Sequence, residues 1–103
     1  TYDLVIATHL LEHIHLDRFE NAVDNIAARS HNLLIVSVPH KYPYHARPID
    51  NLWRPTAHEI MHKFRHNFDA IYAQTFETEH TDPKFAHTSK CSVSYCLLQR
   101  ITN

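Results

Sequence analysis

Histidine supplies eleven of the 103 residues, and much of the chemistry this chain could perform begins with where they fall. His58-Glu59-Ile60-Met61-His62 spells H-E-x-x-H: on a helix, the two imidazoles share a face that can hold zinc while the glutamate activates water. His66 follows one turn further along. Farther back, His40, Tyr44, His45 and Arg54 sit in a proline-rich stretch, where an imidazole can accept a proton from an oxygen or nitrogen nucleophile near neutral pH. Near the start, Thr8, His9, Glu12 and His13 follow a short apolar run. Thr8 and His9 stand at the carboxyl end of a strand, where open α/β sheets bind ligands. Their plainer role would be to satisfy backbone groups there, or, for Glu12, to cap a helix.

The zinc-protease pattern is weak in this context. A chain with so many histidines produces it readily by chance, and Glu59 already has a partner in Thr56, the two forming the capping box T-A-H-E. His58 then lies in the first turn, whereas the protease motif belongs inside a long helix. Phe68 occupies the place of a third histidine ligand, and Glu77, Glu79 and Asp82 stand at no compelling spacing. No functional metal site is expected. His58, His62 and His66 are candidates for adventitious zinc or nickel, and a metalloprotease is a remote alternative.

The elements that must position these groups are legible in the apolar pattern. Leu33 to Val38 is a run without polar alternation except at Ser37, as in a strand buried on both faces of a parallel sheet flanked by helices. Pro39 is expected to end its ladder. A loop of about fifteen residues follows, stiffened by Pro43, Pro48 and Pro55, and long loops in compact domains are usually binding walls or lids. Arg54, Tyr44 and His45 can line that wall or brace it from within, and Trp53 leans toward the core.

Ahead of this strand lies another, Leu4–Ala7, with Asp3 as a structural acceptor tying it to its neighbours. Between the two strands, Phe19, Ala22, Val23, Ile26 and Ala27 recur on one helical face. Asp17 is the expected cap with Glu20, and Asn32 or His31 the expected left-handed terminus. Beyond the loop, Ala57, Ile60, Met61 and Phe64 form the buried side of a helix ending near Arg65 or His66. Strands at Phe68–Glu77 and Ser92–Ile101 follow, joined by the polar stretch Thr78–Lys90. The order is β-α-β-loop-α-β-β, an α/β fold closing with an antiparallel pair.

Composition narrows the rest. Ten basic residues oppose eleven acidic ones, for a net charge of -1, so no basic field favours nucleic acid. No apolar run approaches a membrane span. Cys91 and Cys96 match no metal or redox spacing, which points to a reduced, cytoplasmic setting. The chain contains no glycine, and it opens within a strand, so a piece of a larger domain is expected.

YDLVIATHLLEHI, LLIVSVP and YPYHARPIDNLWRPT together resemble the second half of a class I S-adenosylmethionine-dependent methyltransferase. The quoted features are Tyr2-Asp3-Leu4-Val5, the Leu-Glu-His-Ile segment Leu11 to Ile14, Pro43 to His45, and Arg54 to Thr56. The resemblance implies residues 1–103 as a single partial methyltransferase domain, its C-terminal half, lacking the family's glycine-rich unit. The family's Gly-Gly ahead of the second strand is His31-Asn32 here. It implies S-adenosylmethionine as cofactor, with Ala7, Thr8, His9 and His13 beside its methionine end. Tyr44, His45 and Arg54 would form the substrate loop, and His40, His45 or Tyr44 would be the candidate base. The methyl acceptor stays open. Self-association, or pairing with the absent N-terminal half, is the expected partnership. The alternative is a non-catalytic remnant or interaction module that kept the fold.

Overall fold

The computed structural model describes residues 1–41, 50–82 and 87–101. Strand β1 (Tyr2–Thr8) leads through a 3-10 turn at Leu11–His13 into helix α1 (Leu16–Arg29) and then β2 (Ser30–Lys41). Helix α2 (Ala57–Lys63) precedes β3 (Phe68–Asp82) and β4 (His87–Arg100). One sheet holds all four strands in the order β1-β2-β4-β3. β1 and β2 run parallel, while β4 is antiparallel to both its neighbours. The expected α/β architecture with a closing antiparallel pair is the one observed.

Helix α1 buries Phe19, Val23 and Ala27, with Ile26 packed beside them, so the apolar stripe read from the sequence is its working face. Its beginning differs from expectation. His15, not Asp17, is the N-cap, its Nδ1 accepting from the Asp17 backbone N–H at 3.2 Å. The helix starts too early for an Asp17–Glu20 box to form. Its end differs too: Ser30 is already extended and the chain passes directly into β2, with no left-handed residue at His31 or Asn32. Arg100 takes the place of a glycine cap, donating to the Ala27 carbonyl and, from Nε, to that of Ser30 at 2.8 Å. A cation at the helix carboxyl end satisfies orphan carbonyls and opposes the helix dipole.

Helix α2 carries the full capping box: the Glu59 N–H donates to Thr56 Oγ1, and the Thr56 N–H donates to Glu59 Oε1, each at 3.2 Å. It buries Ala57 and Ile60, and Phe64 packs edge-on against Phe68. It ends at Lys63, so His66 lies past the helix and shares no helical face with His58 and His62. Both helices lie on the same side of the sheet. Phe19, Val23, Ala57 and Ile60 join Leu34, Val36 and Val38 of β2 and Cys96 and Leu98 of β4 in one core.

The opposite face is also apolar. Ile6 pairs with Ile35, Ile35 with Leu97, and Leu97 with Tyr72, a row across all four strands. Ile6 is 59% exposed, Leu4 45% and Tyr72 41%, and no described helix lies over them. The expectation that Leu33–Val38 is buried on both faces therefore holds for Leu34, Val36 and Val38, while Leu33 and Ile35 are only half-buried. Asp3, expected as a tie between strands, is exposed on this edge strand.

Two boundaries move outward. β2 continues through Pro39 to Lys41. Main-chain groups alternate sides along a strand, and the Ser37 carbonyl accepts from His9 N–H on the β1 side. Pro39 therefore turns its missing donor the same way, past the end of β1, where no ladder is lost. The polar stretch Thr78–Lys90 is not a linker; its ends extend the β3–β4 hairpin, with Asp82 opposite His87.

Candidate functional site

The carboxyl ends of the parallel strands β1 and β2 lie side by side, Thr8 opposite Ser37. This is the edge at which an α/β sheet presents its ligand groups. Ala7 is buried there, whereas Thr8 and His9 are exposed. His9 has φ of 50°, a left-handed conformation uncommon for a residue bearing a side chain. With no glycine in the chain, a histidine makes the turn out of β1. The 3-10 turn then buries Leu11 and Glu12 and sets His13 at the rim. The Glu12 carboxylate lies between two imidazoles, its Oε2 3.7 Å from His13 Nε2 and 3.9 Å from His9 Nδ1. Glu12 caps no helix: its Oε1 has no hydrogen-bond partner.

A second group closes this region from the far side of the long loop. Asn51 is its clamp. The Asn51 backbone N–H donates to the Glu12 carbonyl at 2.7 Å, and its side-chain amide donates to the carbonyls of Leu11 at 2.8 Å and Ile14 at 2.6 Å. Asp50 is fully buried and takes both Nη atoms of Arg54, at 3.1 and 2.5 Å, in a fork-to-fork pair. The Leu52 N–H closes on Asp50 Oδ1 at 2.8 Å and the Trp53 N–H on Asn51 Oδ1 at 2.9 Å. These consecutive side-chain turns carry Leu52 at φ of 70°. Arg54 thus braces the loop rather than lining it. Trp53 is half-buried and packs against the core, edge-on to Phe19 with ring centroids 4.9 Å apart.

His40 joins the same brace, its Nδ1 3.0 Å from the Arg54 carbonyl. A carbonyl can only accept, so Nδ1 carries the proton and the neutral ring keeps its basic lone pair on Nε2. His40 therefore combines a structural bond with the one nitrogen a base requires. The other candidates on this wall, Tyr44 and His45, lie outside the described residues. Pro55 is anchored beneath by Ser94, whose Oγ donates to its carbonyl at 2.7 Å.

The histidines of the H-E-x-x-H stretch gather no such constellation. The Glu59 carboxylate is turned toward Thr56, its Oε1 accepting from both the backbone N–H and the hydroxyl of that residue at 3.2 Å. Among the described residues no three His, Cys, Asp or Glu side chains are grouped to hold a metal ion. Asp50 and Asn51 are the residues that sequence reading passed over. Their signal was present as an Asp and an Arg four apart beside an Asn, in a loop otherwise read for its aromatics.

No protein-family model matches the chain, and no curated protein matches it in sequence. Solved structures do. TehB from Haemophilus influenzae superposes over 98% of the chain with a TM-score of 0.72 at 11% identity. A protein from echinomycin biosynthesis, solved in connection with the conversion of a disulfide bond into a thioacetal group, superposes over 96% with a TM-score of 0.59 at 10% identity. The chain spans 36% of the length of the first and 48% of the second. At such identities the likeness is one of fold, and that fold is a methyltransferase-like α/β sheet.

Proposed function

We propose that these residues form the C-terminal part of an S-adenosylmethionine-dependent methyltransferase domain, which transfers a methyl group to an acceptor through the crevice at the ends of β1 and β2. The observation that carries this reading is the sheet itself. A parallel β1–α1–β2 unit closed by an antiparallel hairpin, in the order β1-β2-β4-β3, superposes on TehB over nearly its whole extent. It agrees with the motif resemblance along Tyr2–Ile14 and Leu33–Thr56, which was drawn from different information.

The residues present fit the cofactor on one side. Ala7, Thr8 and His9 offer a small side chain, a hydroxyl and an imidazole at a strand end, and the buried Glu12 carboxylate supplies negative charge suited to a cationic ligand. A glycine-rich turn for the ribose is not in this sequence. When bound, S-adenosylmethionine supplies an electrophilic sulfonium methyl. What the chain contributes is alignment, through the Asn51 clamp and the Asp50–Arg54 brace, and a basic nitrogen at His40 Nε2 for an acceptor that must lose a proton. The exposed edge of β1 and the bare sheet face would receive the rest of the domain, or else a second copy of this chain.

Titration calorimetry with S-adenosylmethionine tests the reading. The natural polypeptide that carries these residues is expected to bind it. Residues 1–103 alone are expected to bind weakly, because half the pocket is missing. Sub-micromolar binding by the 103 residues would overturn the half-pocket. No binding by the natural polypeptide would leave a non-catalytic module that kept the fold.

A further inference from the structure

His40 stands where β2 breaks its pairing. Pro39 faces Val93 and Lys41 faces Ser92, so His40 is the extra residue of a bulge in the β2–β4 ladder. Bulges re-aim a side chain, and they recur beside active sites. The ring is caught by the Arg54 carbonyl, which Nδ1 reaches at 3.0 Å. Whatever holds that carbonyl in place therefore decides which ring nitrogen carries the proton.

The carbonyl is held from the far side of Pro55. Ser94 is fully buried, and its hydroxyl donates to the Pro55 carbonyl at 2.7 Å. That donation uses its single hydrogen. The Thr75 hydroxyl, 2.9 Å away, must then donate to Ser94, and Thr75 Oγ1 accepts in turn from the Ala57 N–H at 3.4 Å. The chain of bonds leaves the loop at Pro55, crosses β4 and β3, and returns at the first residue of α2. Two places further along β4 and on the same face, the Cys96 thiol donates to the Ala57 carbonyl at 3.3 Å. Little rotation is left between the Pro55 carbonyl and that of Arg54. The peptide bond joining the two residues is planar, and the proline ring holds φ at about −65°. Only ψ of Pro55 is soft, so fixing one carbonyl goes most of the way to fixing the other.

We infer that Ser94 is a positioning residue for His40: through Pro55 it fixes the Arg54 carbonyl, and with it the tautomer that keeps the lone pair on Nε2. The use of that lone pair, to take a proton from the methyl acceptor, rests on the methyltransferase reading; the positioning rests on the bonds alone. A neutral imidazole in water samples both tautomers, and a ring protonated at Nε2 has no base to offer there. The β3–β4 hairpin, distant in sequence from both His40 and Arg54, thereby sets the state of a side chain at the mouth of the crevice.

Proton–nitrogen NMR correlations of the histidine rings distinguish the two tautomers, and the test records them on the natural polypeptide labelled at histidine. The His40 signal is identified by its loss in His40→Gln. The unaltered protein is expected to show His40 protonated at Nδ1. Ser94→Ala is expected to replace this pattern with an averaged mixture of both tautomers, and Ser94→Thr, which restores a hydroxyl, to return it. His15 is the internal control: its Nδ1 accepts from the Asp17 N–H, so it carries the opposite tautomer and is expected to keep it throughout. An Nε2–H pattern at His40 in the unaltered protein, an Nδ1–H pattern that persists in Ser94→Ala, or an equal change at His15 overturns the positioning. Should Ser94→Ala fail to fold, Ser94→Cys takes its place, its thiol being a weak donor, and an unchanged His40 there overturns the positioning as well. Calorimetry with S-adenosylmethionine on the unaltered sample separates the two ideas. Cofactor binding with an unmoved His40 sinks the positioning only, and a moved His40 without cofactor binding sinks the methyltransferase reading only.

Discussion

On one face of the sheet Leu34, Val36, Cys96 and Leu98 lie beneath α1 and α2; on the other, Ile6, Ile35, Leu97 and Tyr72 form a row with no described helix above it. The residue types barely differ between the two faces. What differs is the supply of helices, since both described helices, α1 and α2, are spent on one side. Apolar side chains in a central strand state that two layers are needed, and they do not state which segment provides each. The closed face and its entry loop therefore hold the stability of these residues, while the open face is where the proposed partner would sit.

The contrast is sharpest where a charge is enclosed. Asp50→Ala removes the carboxylate that faces both Nη atoms of the buried Arg54 guanidinium, and unfolding in urea is expected to show a loss of about 3–5 kcal/mol. Next comes the apolar core of the closed face. Ile60→Ala is expected to cost about 2–5 kcal/mol, whereas the matching deletion Ile6→Ala on the open face should stay within about 0.5 kcal/mol in the same assay. Equal losses at the two sites would mean that the open face is covered after all.

Cys96 adds a pH dependence peculiar to the closed face. Burial pushes its thiol from 9.0 up to about 11, against a smaller opposing pull from a backbone hydrogen bond at Met61. The unfolded chain therefore gives up this proton first, and stability should fall as pH climbs through that window. Cys96→Ala should flatten that part of the profile in urea midpoints taken across it. A smaller effect is expected at the α2 cap, where Thr56→Ala should cost about 1 kcal/mol.

The smallest change in folding energy belongs to Ile6→Lys, expected within about 0.5 kcal/mol because the site faces solvent. Its effect should appear in sedimentation instead. Residues 1–103 should associate through the β1 edge or the bare face, and a charge there should return them to monomers. A compact monomer before the substitution would remove the reason for a partner on this side.

How far the sequence could be read follows from which interactions are local. The helical faces of α1 and α2 and the Thr56–Glu59 box depend on neighbours three or four residues away, and all of them formed. The sequence of elements along the chain followed from the apolar runs and the motif resemblance together, whereas the order in the sheet, with β4 between β2 and β3, came only with the fold. The end of α1 could not be read, because Arg100, which caps it, arrives from the last strand. Nor could the passage of β2 through Pro39, which depends on where β1 stops. At the crevice, Thr8 ends β1 and His9 turns out of it where the apolar run stops, and bracing by Arg54 was one of the two roles its place in the loop allowed. Asp50 and Asn51 were not foreseen, since a buried ion pair and a backbone clamp leave little trace in residue type alone.

The sheet order has a consequence for how the molecule assembles. β1, α1 and β2 form one stretch of nearby chain, and the β3–β4 hairpin forms another, zipping outward from its core end or inward from Asp82 and His87. The join between them is β2 against β4, which sets Leu33 beside Gln99 and Lys41 beside Ser92. Closing so long a loop carries an entropic cost that neither unit meets until the strands dock. The docking also brings Arg100 to the end of α1, so the helix receives its cap only when the two halves meet. Formation of the central pair and completion of α1 are thereby coupled, since the same strand supplies both.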